Sequence, residues 1–262
     1  MKVNILRLVL LSAIAFLFIS CSEDQGSKPL PVIIAHRGLP LSFPENSKEG
    51  FDAVVSLGID AVETDVYMTK DDSVFIIHDV ELSRLTDLTG NVQDFTAQEL
   101  REAVSRKTGG TSLTVAQFLE RYKGKFQKIY FDVKEGQNEV IIATALQIEG
   151  IVHFHTMENI VIATSTSEAP LDTLLKVNPS FQTAIEIGDA NLFSDKVKKH
   201  SRVLLNHGSL TRAISEMSKA SNAELIIFTP NTSVEFQNVI DIGCDAIMTD
   251  NPVLLQKYLD TL

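Results

Sequence analysis

Basic residues are in short supply in this chain. Lysine and arginine number 23 against 34 aspartates and glutamates, a formal charge of −11. Such a surface repels nucleic acid and anionic lipid headgroups, so a phosphorylated ligand must be drawn in by local positive charge or a metal ion. Cysteine is scarcer still. Cys21 and Cys244 are the only two, which excludes a disulfide framework. The 13 glycines and 8 prolines are dispersed, with no low-complexity tract and no internal repeat, which excludes solenoids and fibrous architectures. What remains is 262 residues, 44% of them hydrophobic, ample for one well-packed domain and short for two.

The one continuous apolar run lies at the N-terminus. Lys2 and Arg7 give a positive start, and residues 8–19 form a stretch too short to span a membrane comfortably. Phe18-Ile19-Ser20-Cys21 resembles the lipobox of bacterial lipoproteins, with Phe18 standing where leucine is usual. The resemblance implies that Cys21 is acylated and that the exported protein is anchored to the bacterial outer membrane, on its periplasmic or cell-surface face. An ordinary cleaved signal peptide and an uncleaved anchor are the alternatives. Ser22-Glu23-Asp24-Gln25 resembles the surface-export signal of Bacteroidetes lipoproteins and reads equally well as a solvated tether. The organisation expected is a signal peptide over 1–20, a lipidated cysteine and polar tether over 21–30, and a single domain over 31–262. Loss of Lys2 and Arg7 leaves 21 basic residues against 34 acidic ones, a formal charge of −13. Cys244 is then unpaired and reads as a small core residue.

From residue 32 onward, short β-branched runs alternate with helical patterns. Expected strands are 32–35, 59–66, 74–77, 128–133, 160–163, 181–187, 203–205, 224–228 and 246–248; helices are expected over 47–57, 97–104, 115–122, 139–148 and 234–242. Near-continuous apolar strands between amphipathic helices point to a parallel sheet covered by helices, closed with this many units into a (β/α)8 barrel of TIM type. One connection breaks the pattern. Only residues 67–73 separate the second and third strands, whereas a parallel crossover needs about a dozen or more. The third strand is therefore expected to return antiparallel beside the second, giving an irregular barrel.

The chemistry-bearing residues fall at strand ends, whose loops converge on one mouth in a barrel. Glu63 and Asp65, two apart on one strand, face the same way and repel unless a cation lies between them. Asp132 can add a third hard oxygen ligand suited to Ca²⁺ or Mg²⁺. The other reading of the Glu63–Asp65 pair is an acidic strand end flanked by solvent. His36 and His78 each close an apolar strand; imidazole gives and takes protons near neutral pH, and a lone strand-end histidine also serves as a structural hydrogen-bonding group. His153, His155, His200 and His207 take that structural reading, with His153 and His155 read as a same-face pair lacking a nearby carboxylate. Arg37 matches two phosphoryl oxygens and Lys134 adds a point charge. Each is ordinary alone. Together they describe a phosphoryl-transfer site.

At this point the sequence resembles the glycerophosphodiester phosphodiesterases, phosphodiesterases built on a phospholipase-C-like barrel. The resemblance runs through Ile34-Ala35-His36-Arg37-Gly38, Phe43-Pro44-Glu45-Asn46-Ser47, Gly58-Ile59-Asp60-Ala61-Val62-Glu63-Thr64-Asp65-Val66 and His78-Asp79. It closes with Gly243-Cys244-Asp245-Ala246-Ile247-Met248-Thr249-Asp250-Asn251-Pro252. It implies His36 and His78 as the acid/base pair, Glu63, Asp65 and Asp132 as ligands of one divalent ion, and Arg37 and Lys134 as phosphate contacts. Glu45 and Asn46 are given a supporting role, and Asn46 or Ser47 can cap the helix that follows. Three positions depart from the family pattern. Asp132 stands where glutamate is usual. Phe228-Thr229-Pro230-Asn231 replaces Trp-Thr-Val-Asn, placing Phe228 in the substrate wall, and Ser165-Thr166-Ser167 replaces Ser-Phe.

The expected function is metal-dependent hydrolysis of a small glycerophosphodiester to an alcohol and glycerol 3-phosphate. Alternatives are a related phosphodiesterase acting on a lysophospholipid, glycerophosphoinositol or a teichoic-type polymer, and a lipoprotein that binds phospho-ligands without turnover.

Overall fold

A computed structural model of the protein describes residues 29–134 and 138–262. The signal segment, Cys21 and the tether as far as residue 28 lie outside the described residues. Among the described residues no helix is long and apolar enough to cross a membrane.

The strands are β1 (Val32–Ala35), β2 (Ala61–Met68), β3 (Val74–Ile76), β4 (Lys128–Val133), β5 (Val161–Ser165), β6 (Gln182–Ile187), β7 (Arg202–Asn206), β8 (Glu224–Phe228) and β9 (Ala246–Thr249). All except β3 run parallel in the order β1-β9-β8-β7-β6-β5-β4-β2, and β1 also pairs with β2. The sheet is thus a closed eight-stranded barrel. β3 stands outside it, antiparallel to the end of β2 with Val66 opposite Ile76, as the short 67–73 connection requires. Most boundaries shift by one or two residues from the sequence expectation, and one of the shifts bears on the site. β2 continues past Asp65 to Met68, because Val66–Met68 gain a partner in β3, so Glu63 and Asp65 lie mid-strand. They are nonetheless at the barrel's rim, since the neighbouring β4 ends one residue beyond Asp132, which is opposite Asp65.

Around the barrel lie α1 (Lys48–Ser56), α2 (Ala97–Thr108), α3 (Val115–Tyr122), α4 (Asn138–His155), α5 (Glu168–Val177), α6 (Phe193–Lys196), α7 (Arg212–Ala220), α8 (Ser233–Ile242) and α9 (Pro252–Leu259). Their starts carry local signals. Ser47 caps α1 by accepting from the Gly50 N–H, while Thr96–Glu99, Thr114–Gln117 and Thr232–Glu235 form reciprocal capping boxes on α2, α3 and α8. α4 runs seven residues, about two turns, beyond its expected end, so His153 and His155 lie on a helix. Two positions apart on a helix do not share a face, and His153 Nδ1 is 2.9 Å from Glu158 Oε1. The same-face pair without a carboxylate is therefore corrected on both counts.

Side chains inside the barrel form layers. Lys128, Gln182, Arg202 and Glu224 make its floor, where Glu224 accepts from Lys128 at 2.8 Å and Arg202 at 2.9 Å, and Gln182 accepts from Arg202 at 2.8 Å. Above them Ile34, Ala61, Tyr130, Ile162, Ala184, Leu204, Ile226 and Ala246 pack as one apolar plug. The alternate residues, such as Ile129, Phe131, Ile185 and Ile227, face outward and join the larger core under the helices, which Cys244 flanks. Phe118 of α3 anchors that core. It is fully buried and its ring contacts Phe51, Tyr122, Phe126 and Phe131 at centroid distances of 4.9, 4.7, 6.3 and 5.9 Å.

Phe118→Ala leaves a cavity among four rings, and we expect a loss of about 3–5 kcal/mol in urea unfolding, the usual cost of deleting a buried phenyl group. A loss under about 1 kcal/mol would show that α3 does not anchor the core.

Candidate active site

Because side chains alternate along a strand, the residue two beyond each plug residue points into the barrel mouth. This places His36 above Ile34, Glu63 and then Asp65 above Ala61, Asp132 above Tyr130, Thr164 above Ile162, Glu186 above Ala184 and Phe228 above Ile226. A cavity of about 200 Å³ is lined by these residues together with Arg37, His78, Lys134, Leu204, Thr229 and Met248. The chain thus brings all eight expected residues of the mouth into one pocket: His36, His78, Arg37, Lys134, Phe228, Glu63, Asp65 and Asp132.

Glu63, Asp65 and Asp132 are all buried, which excludes the solvent-flanked reading of the pair. One carboxylate oxygen from each lies within 4.8 Å of the others. Oxygens up to about 5 Å apart can share one Ca²⁺ at its usual distance of about 2.3–2.6 Å. Asp132 meets this limit despite its shorter side chain. Two cations already stand in the cluster. Lys134 Nζ is 2.7 Å from Asp65 Oδ1 and 2.5 Å from Asp132 Oδ2, and Arg37 Nε is 3.3 Å from Asp65 Oδ2.

Those pairings sort the three acids. Burial alone would raise Asp65, but Lys134 and Arg37 outweigh it and hold its carboxyl well below the usual range. Burial raises Asp132, with Lys134 pulling against it and Asp65 adding to the rise. Burial and the neighbouring charges of Asp65 and Asp132 push Glu63 well above the ordinary glutamate value. Glu63 Oε2 accepts from the Arg37 backbone N–H at 3.0 Å and lies 3.8 Å from His36 Nε2. A further cation therefore fits the donor set: three hard oxygens lie in reach of one ion, and burial together with the two neighbouring acids raises one of them above its normal range.

The histidines are each held by a carboxylate. His36 Nδ1 is 2.6 Å from Asp250 Oδ1, and His78 Nδ1 is 2.6 Å from Asp79 Oδ1. Burial opposes the ionised form of both aspartates, but bonds from His36 in one case, and from Arg84 and His78 in the other, hold both below the usual range. An ionised carboxylate only accepts, so each Nδ1 donates and each Nε2 is left for proton transfer. The holders are held in turn. Asn231 donates to Asp250 Oδ2 at 2.9 Å and accepts from its N–H at 2.9 Å, while Arg84 bonds Asp79 and clasps Glu45 at 2.8 and 2.9 Å. Asn46 donates to Asp65 Oδ2 and accepts from Thr64 Oγ1, both at 2.7 Å. Asp250, Asp79, Asn231 and Arg84 are site residues to which the sequence alone assigns no role. The His78-Asp79 adjacency is a visible signal; Asp250 lies in the closing block that resembles the family, but its pairing with His36, 214 positions away, follows only from closure of the barrel. His200 and His207 are outside the mouth's lining, and lie 3.5 Å from Glu168 and Glu235 respectively.

Residues 36–254 match the model of the glycerophosphoryl diester phosphodiesterase family. The chain belongs to that family. A glycerophosphodiester phosphodiesterase of Bacillus altitudinis is 27% identical over 233 residues, covering 84% of this chain and 94% of the relative. A solved glycerophosphoryl diester phosphodiesterase from Silicibacter pomeroyi shares the barrel with a TM-score of 0.80 at 19% identity, over 88% of this chain and 94% of that one. A phosphodiesterase of Oleispira antarctica, solved with the product sn-glycerol 3-phosphate, superposes with a TM-score of 0.79 at 22% identity, over 88% and 97%.

A carboxyl whose folded pKa stands above its unfolded value contributes stability that is lost as pH rises through the folded value. The metal-free protein should therefore lose stability as pH climbs above the ordinary carboxylate range, and Glu63→Gln should lose less. After chelation, adding back Ca²⁺ or Mg²⁺ at about 100 times Kd should raise the melting temperature by about 5–10 °C, corresponding to about 2.7 kcal/mol of linkage. Glu63→Gln and Asp65→Asn should each remove most of that rise. An unchanged melting curve with either ion would exclude the cluster as a cation site.

Proposed function

We propose that this chain hydrolyses glycerophosphodiesters to an alcohol and glycerol 3-phosphate, using one divalent ion, Ca²⁺ or Mg²⁺, and two histidines. The observation that carries the reading is the shared cavity. Two imidazoles, each fixed through Nδ1 by its own aspartate, line the same pocket as three clustered acids, a guanidinium and an ammonium. The name of the Bacillus relative and the glycerol 3-phosphate bound to the Oleispira protein support the substrate class.

Cleaving a phosphodiester needs a proton removed from the attacking oxygen and one delivered to the leaving oxygen. Nε2 of one histidine takes the first and Nε2 of the other supplies the second. Asp250 and Asp79 keep each ring oriented and stabilise its cationic form. Arg37 and Lys134 face the phosphoryl oxygens and offset the charge that grows on them in the transition state. Glu63, Asp65 and Asp132 would hold the cation, which when bound supplies further stabilisation of that charge. Phe228 forms part of the substrate wall. We also propose that the protein is exported and tethered to the outer membrane through lipid on Cys21. The positive start, the short apolar run and the lipobox-like Phe18-Ile19-Ser20-Cys21 support that placement.

Release of glycerol 3-phosphate from glycerophosphocholine tests the activity directly. His36→Ala and His78→Ala should each lower turnover by about 10² or more with the melting temperature unchanged, the size usual for a lost acid or base. Turnover within a few fold of normal in either variant would refute its part in proton transfer. Chelation should abolish activity and excess Ca²⁺ or Mg²⁺ restore it; full activity after exhaustive chelation removes the ion from the mechanism.

A further inference from the structure

The cavity has two unlike walls. The side built by β1, β2 and β4, with the loops after them and after β3, carries both histidines, the three acids, Arg37 and Lys134. The side built by β6, β7, β8 and β9 contributes Glu186, Leu204, Phe228, Thr229 and Met248. Three of those five are apolar, Thr229 is neutral, and Glu186 is the single charged group among the described residues of that wall. Its position is fixed by the pleat: Ala184, two residues earlier, belongs to the apolar plug inside the barrel, so Glu186 stands on the same face one step nearer the mouth. It is half-buried, and it also lines the adjoining cleft with His78, Val80, Asp132, Val133, Lys134 and Thr166. That cleft continues the pocket outward from the phosphate side.

We propose that Glu186 and Phe228 form a subsite for a positively charged leaving alcohol, so that the enzyme selects glycerophosphodiesters of amino alcohols. The inference rests on the phosphodiesterase reading of the same cavity. A carboxylate beside an aromatic face is the pairing that recognises an ammonium or quaternary ammonium group: the carboxylate supplies charge, and the ring supplies its negative face without hydration. The flanking Leu204 and Met248 suit the methylene or methyl groups around such a nitrogen. A neutral polyol finds few partners on this wall, since it needs several hydrogen-bonding groups and meets mainly apolar ones. An alcohol bearing a second phosphate meets a carboxylate and is repelled. The phosphate itself is served by Arg37, on the β1 side of the cavity, and by Lys134, which lines the adjoining cleft together with Glu186. The same wall carries the substitution of phenylalanine for the family's usual tryptophan, noted from the sequence at Phe228.

The test compares kcat/KM of the purified, cation-supplemented protein on glycerophosphoethanolamine, glycerophosphocholine, glycerophosphoglycerol and glycerophosphoinositol, for the natural chain, Glu186→Gln and Phe228→Leu. The natural chain should prefer the two zwitterionic amino-alcohol diesters over the two anionic polyol diesters by about tenfold or more, the usual worth of a charged contact in a half-buried pocket. Glu186→Gln should erase most of that preference by raising KM for the amino-alcohol diesters, with kcat and the polyol diesters within about twofold. Phe228→Leu should weaken the quaternary choline ester more than the polyol ones. Equal use of amino-alcohol and polyol diesters by the natural chain, or a parallel loss on all four in Glu186→Gln, overturns the subsite while leaving the phosphodiesterase reading intact. Hydrolysis of none of the four by the natural chain overturns both.

Discussion

Three carboxylates packed into one barrel mouth repel one another, and much of the surrounding structure exists to hold them there. Asp65 alone draws on Lys134, Arg37 and Asn46. Two of those partners come from the β1–α1 loop, which bends sharply to deliver them. Arg37 and Asn46 sit at φ of 53° and 56°, a left-handed backbone uncommon for side-chain-bearing residues, and Gly38 between them at 84°. The bend lets Arg37 present its backbone N–H to Glu63 and its guanidinium to Asp65, while its carbonyl accepts from the Asn46 N–H at 2.9 Å. Backbone strain of this kind persists only where the surroundings over-determine it. Here they do, because relaxing either residue would strip a donor from a buried anion.

The same barrel that concentrates charge at its mouth disperses it at its floor. Along β4 the inward positions read Lys128, Tyr130, Asp132; along β6, Gln182, Ala184, Glu186; along β8, Glu224, Ile226, Phe228. The floor pairs opposite charges at 2.8–2.9 Å, which closes the barrel electrically. The apolar plug separates that layer from the mouth and keeps the low-dielectric environment in which a carboxylate cluster has a raised affinity for cations. A chain with the same residues shifted by one would point the acids into the helix layer, where nothing could satisfy them.

Much of this was legible in the sequence because it depends on local period. The alternation of β-branched runs and helical faces gave the closed barrel, the seven-residue connection gave the antiparallel β3, and the i, i+2 spacing of Glu63 and Asp65 gave their common direction. What was hidden depends on closure. Asp250 reaches His36 only because β9 pairs with β1 in the register Ala35 opposite Thr249, and no local pattern encodes that pairing. Arg84 meets Glu45 across 39 positions for the same kind of reason. The tail of α4 is less legible, because the histidines at 153 and 155 interrupt the apolar spacing while the helix continues through them. Glu186 is one acid among many in an acidic chain, and its direction follows only from Ala184 facing the plug.

An excess of acid over base makes the attraction of a phosphodiester a matter of contact. At physiological ionic strength exposed charges are screened beyond about 8 Å, so the anionic surface sets a modest long-range penalty while Arg37, Lys134 and a bound cation act within a few ångströms. A substrate whose alcohol is cationic carries no net charge and escapes even that penalty. The acidic surface and Glu186 in the mouth therefore discriminate in the same direction: a zwitterionic diester is tolerated at a distance and held at both ends on arrival, whereas an anionic one is opposed at a distance and held through its phosphate alone.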